Sequence, residues 1–250
     1  VTLLMKELLP TINTATKYPE ILTYHALGER GRLTDEVTEF DGEVIFSEKV
    51  DGTNIRVVKE PGGDWLIGSR EDLLTAQGDR VANKFQGVVE ALGDLPERLP
   101  APFESVRVYF MEVYGGKIGG SAKNYSKSGA TGFRIFDIAH VAPEIFLTEP
   151  EAASVWRKNG GQKWMPWDQV KALTGGLEGV EMVPEVGRCH STDLPTGHEN
   201  TLDWLTRKAP RTRCGLTEQG PAEGIVLRSP DRSRIAKARF QDYRRTLGIK

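Results

Sequence analysis

Lys49 stands two residues before a turn-forming run, in Glu48-Lys49-Val50-Asp51-Gly52-Thr53-Asn54. A primary amine beside a hydroxyl and a carboxamide is equipment for nucleophilic chemistry, provided the amine can lose its proton. A lysine at its ordinary pKa of about 10.4 is protonated at neutral pH and is no nucleophile. Glu43-Val44-Ile45-Phe46-Ser47 before it and Ile55-Arg56-Val57-Val58 after it have the composition of strands. Lys49 therefore falls where a strand breaks and its ammonium can project into a cleft. Asp51 and Gly52 supply a tight turn, since glycine tolerates backbone angles closed to other residues. A plain hairpin explains Asp-Gly-Thr-Asn but gives no reason for the lysine.

The elements that position this run are mostly strands. Residues 43–70 read as strands, with Pro61-Gly62-Gly63-Asp64 as a turn between two of them. Val106–Tyr114 and Gly132–Ala139 read as buried strands, and Glu181–Val186, Ile225–Arg228 and Ile235–Phe240 as further ones. Val81, Phe85, Val88, Val89 and Leu92 have helical spacing and predict a helix over 82–92, stopped by Pro96 and Pro100. Short helices are expected at Pro150–Lys158 and Trp167–Leu173. Residues 1–40, with Pro10, Pro19, Gly28 and Gly31, are expected to be irregular. Many strands and few helices predict an α+β fold with antiparallel sheets.

Further short motifs follow the lysine in order. They are Ser69-Arg70, Glu112-Val113-Tyr114-Gly115, Phe133-Arg134-Ile135-Phe136-Asp137-Ile138, Glu223-Gly224-Ile225-Val226 and Ala236-Lys237-Ala238-Arg239. With Lys49–Asn54 they resemble the ordered motifs of covalent nucleotidyltransferases, the polynucleotide ligases and capping enzymes. Each is cheap by chance; six in order over residues 48–239 are not. Asn54, Glu48 and the Phe-Asp-Ile run are most similar to the RNA ligase 2 family, because DNA ligases and capping enzymes usually carry arginine at the position of Asn54. One departure is Arg239, which stands where the family has a second lysine and replaces a point cation by a planar fork.

The resemblance implies a nucleotidyltransferase fold, two sheets flanking a nucleotide cleft, and a site built residue by residue. The Lys49 amine is expected to attack the α-phosphorus of ATP, leaving a lysyl-AMP. Lys237, or a divalent metal, is the neighbouring cation that would lower its pKa. Glu48 is placed to read the adenine edge, through its main chain and that of neighbouring Val50. Asn54 would bind the AMP or position the terminal ribose, Arg70 would contact phosphate, and Glu112 would accept from the ribose hydroxyls. Phe136 would stack on adenine, Lys237 would grip the α-phosphate, and Glu223 would orient metal-bound water. Arg56, Arg228 and Arg239 are candidates for phosphate or RNA contacts. ATP and Mg²⁺ or Mn²⁺ are the implied cofactors, the metal held mostly by water and phosphate oxygens.

Composition constrains the rest. The 250 residues allow one large domain with a sizeable core. The expectation is a single nucleotidyltransferase domain over 1–250, with 1–40 an N-terminal extension and no separate C-terminal RNA-binding domain. The net charge of −2 hides an asymmetry: from Arg207 to Lys250 twelve lysines and arginines face four acids, so this tail carries about +8. Such a surface suits phosphates, whose neutralisation releases counterions. Cys189 and Cys214 lack metal or disulfide spacing and read as free cytosolic thiols. The four histidines are scattered. Gly115–Gly120 lacks the spacing of a P-loop. No stretch approaches the ~20 apolar residues of a membrane span, and a cytoplasmic location is expected.

The resulting expectation is an ATP-dependent RNA ligase that joins 3′-OH and 5′-phosphate RNA ends, with room for a protein partner in place of the C-terminal domain. A DNA ligase, a GTP-dependent capping-type enzyme and a non-catalytic nucleic-acid-binding module on the same scaffold are the alternatives.

Overall fold

The computed structural model describes residues 5–81 and 87–250. In chain order, α1 (Leu9–Thr16), β1 (Leu22–Thr23), β2 (His25–Leu27) and β3 (Leu33–Val37) precede β4 (Glu43–Lys49) and β5 (Thr53–Lys59). Then come β6 (Trp65–Ser69), β7 (Leu73–Ala76), β8 (Asp79–Arg80), α2 (Val88–Leu92), α3 (Leu95–Arg98), β9 (Val106–Gly115) and β10 (Thr131–Val141). The last part holds α4 (Pro150–Lys158), β11 (Lys163–Trp164), α5 (Trp167–Gly175), β12 (Glu185–His190), α6 (His198–Lys208), β13 (Gly224–Arg228), β14 (Ile235–Arg239) and α7 (Phe240–Leu247). The helix expected over 82–92 falls partly on 82–86, outside the described residues; its remainder is α2.

β4 and β5 do not pair with each other. β4 belongs to a five-stranded sheet ordered β1-β14-β13-β4-β12, and β5 to a seven-stranded sheet ordered β11-β10-β9-β5-β6-β7-β8. Every pairing in these sheets is antiparallel except β1 with β14. The run after Lys49 is thus a crossing between sheets and not a hairpin.

Period-2 alternation decides which sheet face each core takes. Ile55, Val57, Tyr109, Met111 and Val113 pack on one face of the seven-stranded sheet with Val88, Leu92, Leu95 and Val170 from three helices. Val58, Val108 and Phe110 on the other face meet Ile12 and Ala15 of α1 and Ala153 of α4. The five-stranded sheet packs Val44, Phe46, Ile225 and Leu227 against α6 and α7 through Trp204, Leu205, Phe240 and Tyr243.

Residues 5–40 differ from the irregular extension expected. Pro10 lies in the first turn of α1, where its missing N–H costs no hydrogen bond, and Ile12 and Ala15 are fully buried. β1 then joins the five-stranded sheet through Leu22↔Ala236 and Thr23↔Lys237.

A buried carboxylate ties the sheets together. Asp137 on β10 has no exposed surface. Its Oδ2 accepts from Arg232 Nε and from the Tyr18 hydroxyl, each at 2.9 Å, and its Oδ1 lies 3.5 Å from Arg228 Nη1. Both arginines belong to the β13–β14 hairpin of the other sheet. Their guanidiniums also stack, Arg232 at 3.7 Å from the Trp164 ring centroid and Arg228 at 4.4 Å from that of Trp167. Removing one partner of a buried ion pair leaves the other charge uncompensated, at about 3–5 kcal/mol. Asp137→Ala is therefore expected to lower unfolding free energy by about 3–5 kcal/mol in urea titration; a change below about 1 kcal/mol would show that the pair does not hold the sheets together.

Candidate active site

The crossing at Val50–Gly52 is built around a close approach. A Cβ on Gly52 would lie 2.2 Å from the Val113 carbonyl oxygen, so the position needs glycine for space. The expected reason, a backbone angle closed to other residues, does not apply: Gly52 is absent from the positive-φ glycines. Three groups pin the crossing. The Glu112 carboxylate accepts from Gly52 N at 3.0 Å, the Tyr125 hydroxyl accepts from Asp51 N at 2.7 Å, and Ser121 Oγ donates to the Asp51 carboxylate. Ser121 and Tyr125 were not legible as site residues; they come from the glycine-rich segment after β9, which folds back onto the turn.

Register places the chemistry. Lys49 ends β4 opposite Gly224, the first residue of β13, so Glu223 arrives beside the lysine and accepts from Nζ at 2.7 Å. Val226 pairs with Lys237, which carries the second lysine to the same cleft. Across the crossing, Asn54 is the second residue of β5 and pairs with Glu112 on β9. A register shift between Ile135 and Asp137 leaves Phe136 as the extra residue of a bulge, which re-aims a side chain; Phe136 joins the cleft lining.

These residues surround a cleft of about 410 Å³, a size usual for small-molecule sites. Val50, Phe136, Val183 and Val226 give it an apolar wall, while Lys49, Arg70, Lys237 and Arg239 bring positive charge. Ser47 Oγ and Asn54 Oδ1 are buried there without a hydrogen-bond partner. Such orphaned polar atoms are uncommon in folded proteins, and they fit a ligand with donors and acceptors of its own.

Electrostatics are balanced tightly around Lys49. Burial pushes the Glu112 carboxyl up to about 7, opposed by the Lys49 charge and by the Gly52 N–H. Burial also raises Glu223, again opposed by Lys49. Lys237 is lowered by burial first and then by Arg239 and Lys49, and its ammonium forms no salt bridge among the described residues.

Other expected site residues stand differently. The Glu48 carboxylate is fully buried and points to residues 212–214, accepting from Thr212 Oγ1 and from Arg213 N at 2.7 Å; its main chain alone is left for the cleft. Arg70 lines the cleft with its side chain mostly in solvent. Arg56, on the same face of β5 as Asn54, is buried under α1, donating to Asn13 and to the Arg70 carbonyl. Arg228 borders the cleft, but its guanidinium is committed to Asp137 and Trp167. Arg239 borders it too, with Nε and Nη2 on the Asp242 carboxylate at 2.8 and 3.1 Å.

The RNA ligase family model matches residues 42–240. The chain belongs to the RNA ligase family. Its α+β architecture is the nucleotidyltransferase fold, shared with solved structures at low identity. An archaeal ATP-dependent RNA ligase is 17% identical, with a TM-score of 0.53 over 91% of this chain and 49% of that one. The Naegleria gruberi RNA ligase with pyrophosphate is 14% identical, TM-score 0.53, over 91% and 63%. A variant of the Naegleria gruberi ligase with ATP and Mn is 14% identical, TM-score 0.52, over 92% and 62%. The chain thus spans about half to under two thirds of these ligases. Among curated proteins no sequence matches it. No helix of the described residues is long and apolar enough to cross a membrane.

The raised Glu112 carboxyl has a consequence for stability. The folded state holds its proton to about pH 7, whereas an unfolded carboxyl at its ordinary value near 4.5 has already lost it. Between these values the native state binds more protons, so this group's contribution to stability falls as pH rises. Glu112→Gln keeps an acceptor for Gly52 N–H and removes the ionisation. Unfolding titrations between pH 4.5 and 7 are expected to show a flatter fall in stability for Glu112→Gln; identical slopes for the two proteins would place the Glu112 pKa near its ordinary value.

Proposed function

We propose that the chain is an ATP-dependent RNA ligase acting through a lysyl-AMP intermediate. The observation that carries this reading is the placement of Lys49 on the sheet crossing, in contact with Glu223, at a cleft that also holds Lys237 and an apolar wall. In the first step the Lys49 nitrogen bonds to the α-phosphorus of ATP while the bond to pyrophosphate breaks. The proton leaving Nζ has an acceptor already in contact, the Glu223 carboxylate. Lys237 and Arg239 neutralise charge on the phosphate, since phosphoryl transfer is catalysed mainly by positioning and charge stabilisation. The base enters between Phe136 and the valines, where Ser47 Oγ and Asn54 Oδ1 lack partners. Glu112 meets the ribose hydroxyls, and Arg70 the outer phosphates.

A divalent ion, Mg²⁺ or Mn²⁺, would neutralise charge on the phosphates, held by Glu223 through water. The oxygen donors facing Lys49 suit a hard cation. Among the described residues no three acids, histidines or cysteines cluster to hold an ion unaided.

AMP then passes to an RNA 5′-phosphate, and a 3′-OH displaces it to close the strand. ATP is chosen over GTP on the likeness to a ligase solved with ATP and Mn. RNA is chosen on the family. We infer that residues 1–250 act as one adenylyltransferase domain, with sealing helped by a partner that engages RNA.

The test is sealing of a nicked RNA duplex bearing 3′-OH and 5′-phosphate ends, with ATP or GTP and Mg²⁺ or Mn²⁺. ATP is expected to support joining, and Lys49→Ala to reduce it by more than about a thousandfold, as for loss of a nucleophile. Lys237→Ala is expected to slow joining by about a hundredfold, as for loss of one charge-stabilising donor. Undiminished joining by Lys49→Ala, or joining that requires GTP, would overturn the reading.

A further inference from the structure

A second cavity, of about 250 Å³, lies beyond the wall formed by Pro19, Glu20 and Ile21, which it shares with the nucleotide cleft. Arg157 and Lys158 reach it from the last turn of α4, and Arg232 and Arg234 from the β13–β14 hairpin. Glu20 is its acid. Arg232 is neutralised by Asp137. The other three cations form no salt bridge or side-chain hydrogen bond among the described residues, and Arg157 Nε is buried without a partner. Glu71 exerts only a longer-range attraction on Arg157.

Fold requirements do not explain this convergence. A helix C-terminus favours cations, which accounts for Arg157 and Lys158 on α4. It does not account for Arg234, which comes from the opposite sheet to the same cavity. With Glu20 as its acid and Arg157, Lys158 and Arg234 outside any salt bridge among the described residues, the cavity presents a net positive surface, which favours an anion.

We infer that this cavity binds backbone phosphates of the RNA strand whose end occupies the nucleotide cleft, an inference that rests on the proposed ligase activity. The path is short in the fold. Arg234 lies three residues before Lys237, and β1, directly after the shared wall, pairs alongside Ala236 and Lys237. A strand with its terminal phosphate at Lys49 and Lys237 crosses Pro19–Ile21 and sets following phosphates on Arg234, Arg157 and Lys158. Recognition there is of backbone and not of base, because the Trp164 ring is already covered by Arg232 at 3.7 Å. Contacts of this kind position a strand without reading its sequence.

The experiment compares the full chain with R157Q/K158Q/R234Q. Binding of a 5′-phosphorylated oligoribonucleotide of about 20 nucleotides is followed by fluorescence anisotropy across a salt series. Each single-strand phosphate contact contributes about 0.7 to the slope of log affinity against log salt, so the triple variant is expected to lose about 2 from that slope. Labelling of the protein by α-labelled ATP is expected to stay unchanged, which also reports an intact fold. K158Q/R234Q, at two exposed positions, is expected to lose about 1.4. An unchanged slope and affinity in both variants would overturn the site. Wild-type protein that takes no label, while the variants lose slope, would overturn the ligase reading and leave the site standing.

Discussion

Between Lys49 and Thr53 the backbone leaves one sheet and enters the other, and at Gly52 it passes against the Val113 carbonyl with no room for a side chain. Every other feature of the site depends on that passage. Because β4 and β5 lie in different sheets, the cleft opens at the point where the chain crosses, and Lys49 and Asn54 stand on its two sides. Glu112, Ser121 and Tyr125 hold the crossing from the β9 side by hydrogen bonds to residues 51 and 52. Lys49 is thus aimed by a close, hydrogen-bonded approach of backbones, not by a flexible loop.

The same economy governs charge. Lys49 and Lys237 share the cleft with Glu223 and Glu112, whose carboxyls burial raises and lysine restrains. In this arrangement the Lys49 amine is held on a carboxylate, and the second lysine forms no salt bridge among the described residues. On the proposed reading, a phosphate in the cleft would complete the balance. Farther from Lys49, Asp137 pairs with Arg228 and Arg232 and so ties the two sheets together. Arginines clustered in sequence therefore divide into those that hold the fold and those left for ligands.

Much of the fold class and the ordered motifs was legible, because strand alternation and short motifs are local. What escaped depended on distance along the chain. Arg228 was expected at phosphate, but Asp137, ninety-one residues away, claims it. Arg56 shares a face with Asn54, yet α1 covers it, and Pro10 had concealed α1 by suggesting irregular chain where it starts a helix. Glu48 was expected to reach the adenine edge through main chain; the sequence did not show that Thr212 and Arg213, more than 160 residues on, hold its carboxylate away from the cleft. The bulge that turns Phe136 into the cleft is a register shift with no mark in composition. The reading of Gly52 was right about need and wrong about cause: crowding, not backbone angle.

The most direct measurement of the central claim is peptide mapping by mass spectrometry after incubation with ATP and a divalent metal. One AMP on the peptide that contains Lys49, and no adduct on the Lys237 peptide, is the predicted result. AMP on any other lysine, or no covalent adduct on folded protein freed of bound nucleotide, would contradict the claim that the sheet crossing builds a nucleophile.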